Sequence, residues 1–153
     1  MSEEENNSCE SRIEKHLKSR LADLRLLWKD YTGQLDEEEK KEFAENFGYE
    51  SDGEGTAFNE YGLSFDYVEP GTFTDQKEGY FRYQISYGGP SEEFRFYVNP
   101  GYSVHRIEFW FLDWFDGAKR ELEGEGYTLI EEIYNDFKDC GCCEAEYEKA
   151  TEE

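Results

Sequence analysis

The chain has 153 residues, of which 38 are acidic and 16 basic, for a net charge of −22. That balance argues against direct binding to nucleic acid or to an anionic membrane, because both are held through Lys and Arg. It favours a cationic partner, with plain solubility or adaptation to salt as the ordinary explanations of acidity.

Residues 1–9 are polar and are expected to be disordered. From Glu10 to Tyr31, Ile13, Leu17, Leu21, Leu24, Trp28 and Tyr31 recur at three- and four-residue steps, the stripe of an amphipathic helix. This is also the one basic stretch: residues 11–31 hold six basic and three acidic side chains, whereas residue 32 onward carries 31 acids against ten basic residues. Asp36 followed by Glu39 predicts a capping box opening a second helix, with Phe43 and Phe47 inward and Gly48 closing it. Tyr49–Gly62, with glycines at 53, 55 and 62, reads as a loop.

Strands are expected at 63–69, 80–87, 92–98 and 103–112, separated by Pro70-Gly71, Gly88-Gly89-Pro90 and Asn99-Pro100-Gly101. Such short links imply an antiparallel meander. In the third strand Phe94, Phe96 and Val98 share one face and Glu93, Arg95 and Tyr97 the other. In the fourth, Ile107, Phe109 and Phe111 oppose Arg106, Glu108, Trp110 and Leu112. Apolar on both faces toward its end, this strand is expected to be central and covered on both sides. Leu112, Phe115, Ala118, Lys119 and Leu122 fit a short helix or turn with Asp113 as its cap. Thr128 and Glu131 suggest another capping box, ahead of an apolar face of Leu129, Ile130, Ile133, Tyr134 and Phe137. Gly141 ends that helix, and 142–153 looks like an acidic tail. The expected fold is α+β: one domain over 10–141, a four-stranded antiparallel meander sheet with N-terminal and C-terminal helices packed on it.

Few residues invite catalytic chemistry. Cys140, Cys142 and Cys143 lie too close together for paired zinc ligands, which are spaced as C-x₂-C or wider, and Cys9 is remote. They read as free thiols. His16 falls among charged helix positions, and neither it nor His105 sits in a nucleophile motif. Glu108, Asp113 and Asp116 surround the aromatic run FWFLDWF, where burial could raise a carboxyl pKa or where the aspartates simply cap and turn. The two GxG sequences at 53–55 and 124–126 enclose a glutamate that would repel phosphate. No catalytic residue, cofactor or metal is therefore expected. With no apolar run of about 18 residues and no signal-peptide pattern at the start, the expected location is the cytoplasm.

Acid patterning is the remaining signal. Glu38, Glu42 and Glu45, and again Glu132, Asp136 and Asp139, fall at i, i+4 and i+7 on their helices, with Glu92 and Glu93 added at the strand turns. Carboxylates four residues apart on a helix lie about 6 Å from one another, comparable with successive phosphates along a DNA strand. A single ladder is ordinarily a solvated helix face. Two ladders in so acidic a chain point to a surface that takes the place of nucleic acid on a basic protein or ribonucleoprotein. The segment EEFRFYVNPGYSVHRIEFWFLDWFDGA resembles the cores of small acidic proteins of phages and mobile elements, some of which act against host defence; the likeness spans about residues 80–122. That resemblance implies inhibition of a nucleic-acid-targeting defence system, anti-CRISPR or anti-restriction, by a monomer or homodimer in the host cytoplasm. The alternative is an immunity or antitoxin-type protein that neutralises a basic toxin through aromatic anchors, with Tyr61, Tyr80, Tyr97, Tyr102 and Trp110 as candidates. An acidic interaction domain of unrelated task is the third reading.

Overall fold

Five antiparallel strands pair strictly with their sequence neighbours: β1 (Ser64–Val68), β2 (Tyr80–Ser86), β3 (Ser91–Val98), β4 (Val104–Asp113) and β5 (Asp116–Glu121). The structure is a computed structural model that describes residues 8–113 and 116–152. Its helices are α1 (Cys9–Tyr31), α2 (Glu37–Phe47), α3 (Thr56–Tyr61), α4 (Gly124–Asp139) and α5 (Cys142–Thr151). The chain divides into two compact units, Glu14–Gly62 and the residues up to Ile13 together with those from Leu63 onward. The first turn of α1 thus belongs with the sheet, and the rest of that helix with α2 and α3.

The meander is present, with one strand more than the expected four. Ala118 and Lys119, expected in a helix or turn, lie in β5, which pairs with β4 from Glu108↔Glu121 to Asp113↔Asp116. Pairing explains the difference. Ala118 and Leu122, both buried and four residues apart, suit a helix stripe and a strand face alike, and the ladder with β4, continued by the Leu122 N–H to the Ile107 carbonyl at 2.9 Å, decides for the strand. The expected contribution of Phe115 lies outside the described residues. The strand covered on both faces is β3, buried without a break from Glu92 to Tyr97, and not β4. With order β1-β2-β3-β4-β5, β3 is the middle strand.

One face of the sheet is a ring-packed core. Phe81, Phe94, Phe96, Phe109 and Phe111 are fully buried. α4 lays Ile130, Ile133 and Tyr134 onto them, with Phe96 and Tyr134 stacked at 4.8 Å and Phe65 and Phe137 at 4.4 Å. α4 begins four residues before the expected cap: Thr128 lies inside the helix and its hydroxyl donates to the Gly124 carbonyl. Residues 142–151, expected as a ragged tail, form α5. Gly141 in the left-handed region turns the chain, so it opens α5 as well as ending α4. Cys143 is buried and donates to the Tyr134 hydroxyl, and Tyr147 meets Tyr67 edge-on at 4.9 Å. At the other end of the sheet, the Cys9 N–H donates to Asp116 at 2.8 Å, Arg12 pairs with Asp113 at 2.8 Å, and Arg120 pairs with Glu10 at 2.8 Å. The expected disorder of residues 1–9 concerns, up to residue 7, positions outside the described residues. Cys9, within them, is buried in helix.

In the helical unit the Asp36–Glu39 capping box is formed in full, and Gly48 adopts the left-handed cap that ends α2. The stretch expected as a loop contains α3, because Ala57 and Phe58 are apolar enough to bury, and Phe58 packs against Trp28 and Tyr31 at 5.4 and 4.9 Å. Among the described residues no helix is long and apolar enough to cross a membrane.

Candidate functional site

The acids expected at the surface fall into two groups. Glu38, Glu42 and Glu45 are exposed on α2. Glu42 is within 3.5 Å of Arg25, and the same helix exposes Lys40 and Lys41, so this ladder is partly neutralised. On α4, Glu132 and Asp139 are exposed and Asp136 is half-buried. α5 adds a ladder not foreseen, Glu144 and Glu148 exposed one turn apart, with Glu152 following at the cap. Its cue was present in the spacing of EAEYEKATEE, but that cue carries weight only if the segment is helical.

Glu92 and Glu93 do not belong to this surface. Both are only 2% exposed, because they lie inside β3 and not at a turn. Glu92 accepts from the Ser86 hydroxyl at 2.9 Å, and Glu93 accepts from Arg95 Nε at 2.7 Å. Nor are Tyr97 and Trp110 displayed as anchors. Tyr97 is buried and Trp110 half-buried, and both join a polar cluster on the sheet face opposite α4.

That cluster follows from the register. Glu93 opposes Trp110, Arg95 opposes Glu108, Tyr97 opposes Arg106, and Trp110 opposes Lys119. Arg95 lies 3.6 Å over the Trp110 ring and 4.5 Å over that of Tyr80. Arg106 lies 3.9 Å over Tyr97. Glu108 joins these pieces: one oxygen accepts from the Tyr97 hydroxyl at 2.9 Å and from the Trp110 indole at 3.0 Å, and the other sits 3.6 Å from Arg106 and 3.7 Å from Lys119. Burial, reinforced by the charge of Glu108, pushes the Tyr97 phenol up to about 12. Arg82 directly opposes Arg95 across the β2–β3 pair, a repulsive placement answered by the two-pronged bond from Arg82 to Asp66 at 3.0 and 2.7 Å.

The remaining expected anchors are also engaged internally. Tyr80 is fully buried, Tyr102 is half-buried, and the Tyr61 hydroxyl accepts from Arg20 and donates to Asp23. The large apolar side chains left in solvent are others, chiefly Tyr87 at 79% and Leu63 at 60% exposure. Asp113 and Asp116 bind the first turn of α1. The Cys9 N–H holds the Asp116 carboxyl below the usual range, the reverse of the rise that burial would have caused. His105 is exposed and His16 half-buried. Among the described residues no three Cys, His, Asp or Glu side chains are placed to hold a metal ion. Cys140 and Cys142 approach to 2.9 Å at the joint between α4 and α5. Comparison with known protein families, curated proteins and solved structures found no match to this chain.

Proposed function

We propose that this chain is a non-enzymatic acidic binding protein that occupies a basic nucleic-acid-binding surface and thereby inhibits a nucleic-acid-targeting defence system. The observation that carries the reading is the run of exposed carboxylates on α4 and α5, Glu132, Asp139, Glu144 and Glu148, borne by helices whose apolar faces are spent on the sheet. Rigid helices hold charge at fixed spacing, and a charge of −22 steers a cationic partner over distances beyond contact.

Binding to a basic partner isolated from host extract is expected to weaken steeply with salt and to be displaced by added DNA. Retention in about 0.5 M salt, where the Debye length falls to a few ångströms, would count against the proposal. Charge reversal of Glu132, Asp139, Glu144 and Glu148 to Lys should abolish inhibition with the fold intact. Reversal of Glu38, Glu42 and Glu45 should cost less, since that ladder is already partly paired. A second reading, neutralisation of a basic toxin, is favoured by Tyr87 and Leu63, which lie at or just beyond the ends of the paired β1 and β2 strands in solvent. Under that reading Tyr87→Ala alone would remove most of the affinity and the charge reversals would slow association.

A further inference from the structure

The loop between β1 and β2 overhangs the polar sheet face and encloses with it a groove of about 480 Å³. Four of the sixteen basic residues of this acidic chain line it: Lys77, Arg95, Arg106 and Lys119. Three acids line it as well, Asp75, Glu78 and Glu108, and the last two are already engaged. Glu108 is shared among Tyr97, Trp110, Arg106 and Lys119, and Glu78 is paired with Arg106 at 3.0 Å.

Arg95 is the informative member. It is 9% exposed, its plane is fixed between the Trp110 and Tyr80 rings, and among the described residues its hydrogen bond is the one from Nε to Glu93. The two terminal nitrogens of a guanidinium so held are donors pre-positioned for an anionic group that presents two acceptor oxygens, a carboxylate or a phosphate. Glu93 balances the charge through Nε at 2.7 Å, while the terminal nitrogens are not among the buried atoms left without a partner, so they remain open to an acceptor that enters the groove. Lys119, exposed, supplies a second positive charge beside Trp110. Phe73 on the loop supplies an apolar surface, half in solvent, along the same groove.

We infer that this groove binds a small organic anion carrying an aromatic ring, its anionic group on Arg95 and Lys119 and its ring against Phe73. The volume suits one ring system with its substituent, so the ligand class is that of a nucleoside monophosphate or an aromatic carboxylate. The reading is independent of the acidic helices, because it concerns a different face and the opposite sign of charge.

The test is calorimetric titration of the full chain with adenosine monophosphate, with indole-3-acetate and with inorganic phosphate, alongside the indole N–H resonance of Trp110 identified by Trp110→Phe. Saturable binding of one of the ring-bearing anions is expected, tighter than inorganic phosphate, with a shift of the Trp110 resonance. Which of the two binds separates the phosphate source from the carboxylate source. Lys119→Gln and Phe73→Ala, both at exposed positions, should each weaken binding by about five-fold or more without changing the melting temperature. The inference is overturned if neither ring-bearing anion binds up to about 10 mM, if inorganic phosphate binds equally well, or if both substitutions leave affinity unchanged.

Discussion

Glu108 has an unusual load for one side chain. Its two oxygens satisfy a phenol, an indole, a guanidinium and an ammonium, while the residue is only 6% exposed. Removing it would leave the Tyr97 hydroxyl and the Trp110 N–H without their acceptor and Arg106 without one of its two counter-charges. Glu108→Leu is therefore expected to cost about 2–4 kcal/mol, the usual loss when buried donors and a charge are stranded. Glu108→Gln, which keeps an acceptor, should cost less than half as much. Chemical denaturation of the two variants decides between the roles: equal losses would mean that the cluster needs the charge of Glu108 and not its acceptor oxygens, and negligible losses in both that Glu108 acts only by filling space.

At the scale of elements, period and turn chemistry carried most of the fold. The alternation of β2 to β4, the Asn99-Pro100-Gly101 turn closed by the Tyr102 N–H to the Asn99 carbonyl, and the Asp36 capping box are local signals, and each is present as read. The elements that were missed depend on partners distant in sequence. β5 is too polar to announce itself as a strand and gains its definition from pairing with β4. α3 forms because Phe58 finds Trp28 and Tyr31. α5 has little apolar face of its own beyond Cys143 and Tyr147 and is held by the sheet and α4. The same limit applied to the candidate site. The i, i+4 acids were legible because helix geometry is local. That Glu92 and Glu93 are buried, and that Tyr97 and Trp110 belong to a cation-rich cluster, depends on β3 being the middle strand, which no periodicity within β3 reveals.

For the whole molecule, charge makes stability depend on pH in two opposed ways. Crowded carboxylates repel at neutral pH, so protonating some of them relieves the compact state. Against this, the Lys29 ammonium, with the Asp36 N–H, holds Glu39 at about 2, below its ordinary 4.5. A carboxyl depressed in the folded state contributes stability that is complete above the unfolded value and is lost as pH falls through the folded one. Asp116, lowered by the Cys9 N–H, acts in the same direction. The melting temperature is thus expected to rise as pH is lowered from about 7 to about 5 and to fall below about 4. At pH 7, added salt should raise it. A melting temperature that declines steadily from pH 7 downward, measured by calorimetry, would show that self-repulsion is the weaker of the two effects.

The Cys9–Asp116 bond joins positions 107 residues apart, whereas every strand pair closes a link of a few residues to about a dozen. Loop-closure entropy grows with the length enclosed, and contacts of short range form at the lowest cost. The meander can therefore zip from neighbour to neighbour before the first turn of α1 arrives, and that docking is expected to be a late step in folding. In hydrogen exchange, the Cys9 amide is expected to open by local detachment at far lower free energy than the amides of β3. Equal protection of the two would mean that the terminus and the sheet unfold as one cooperative body.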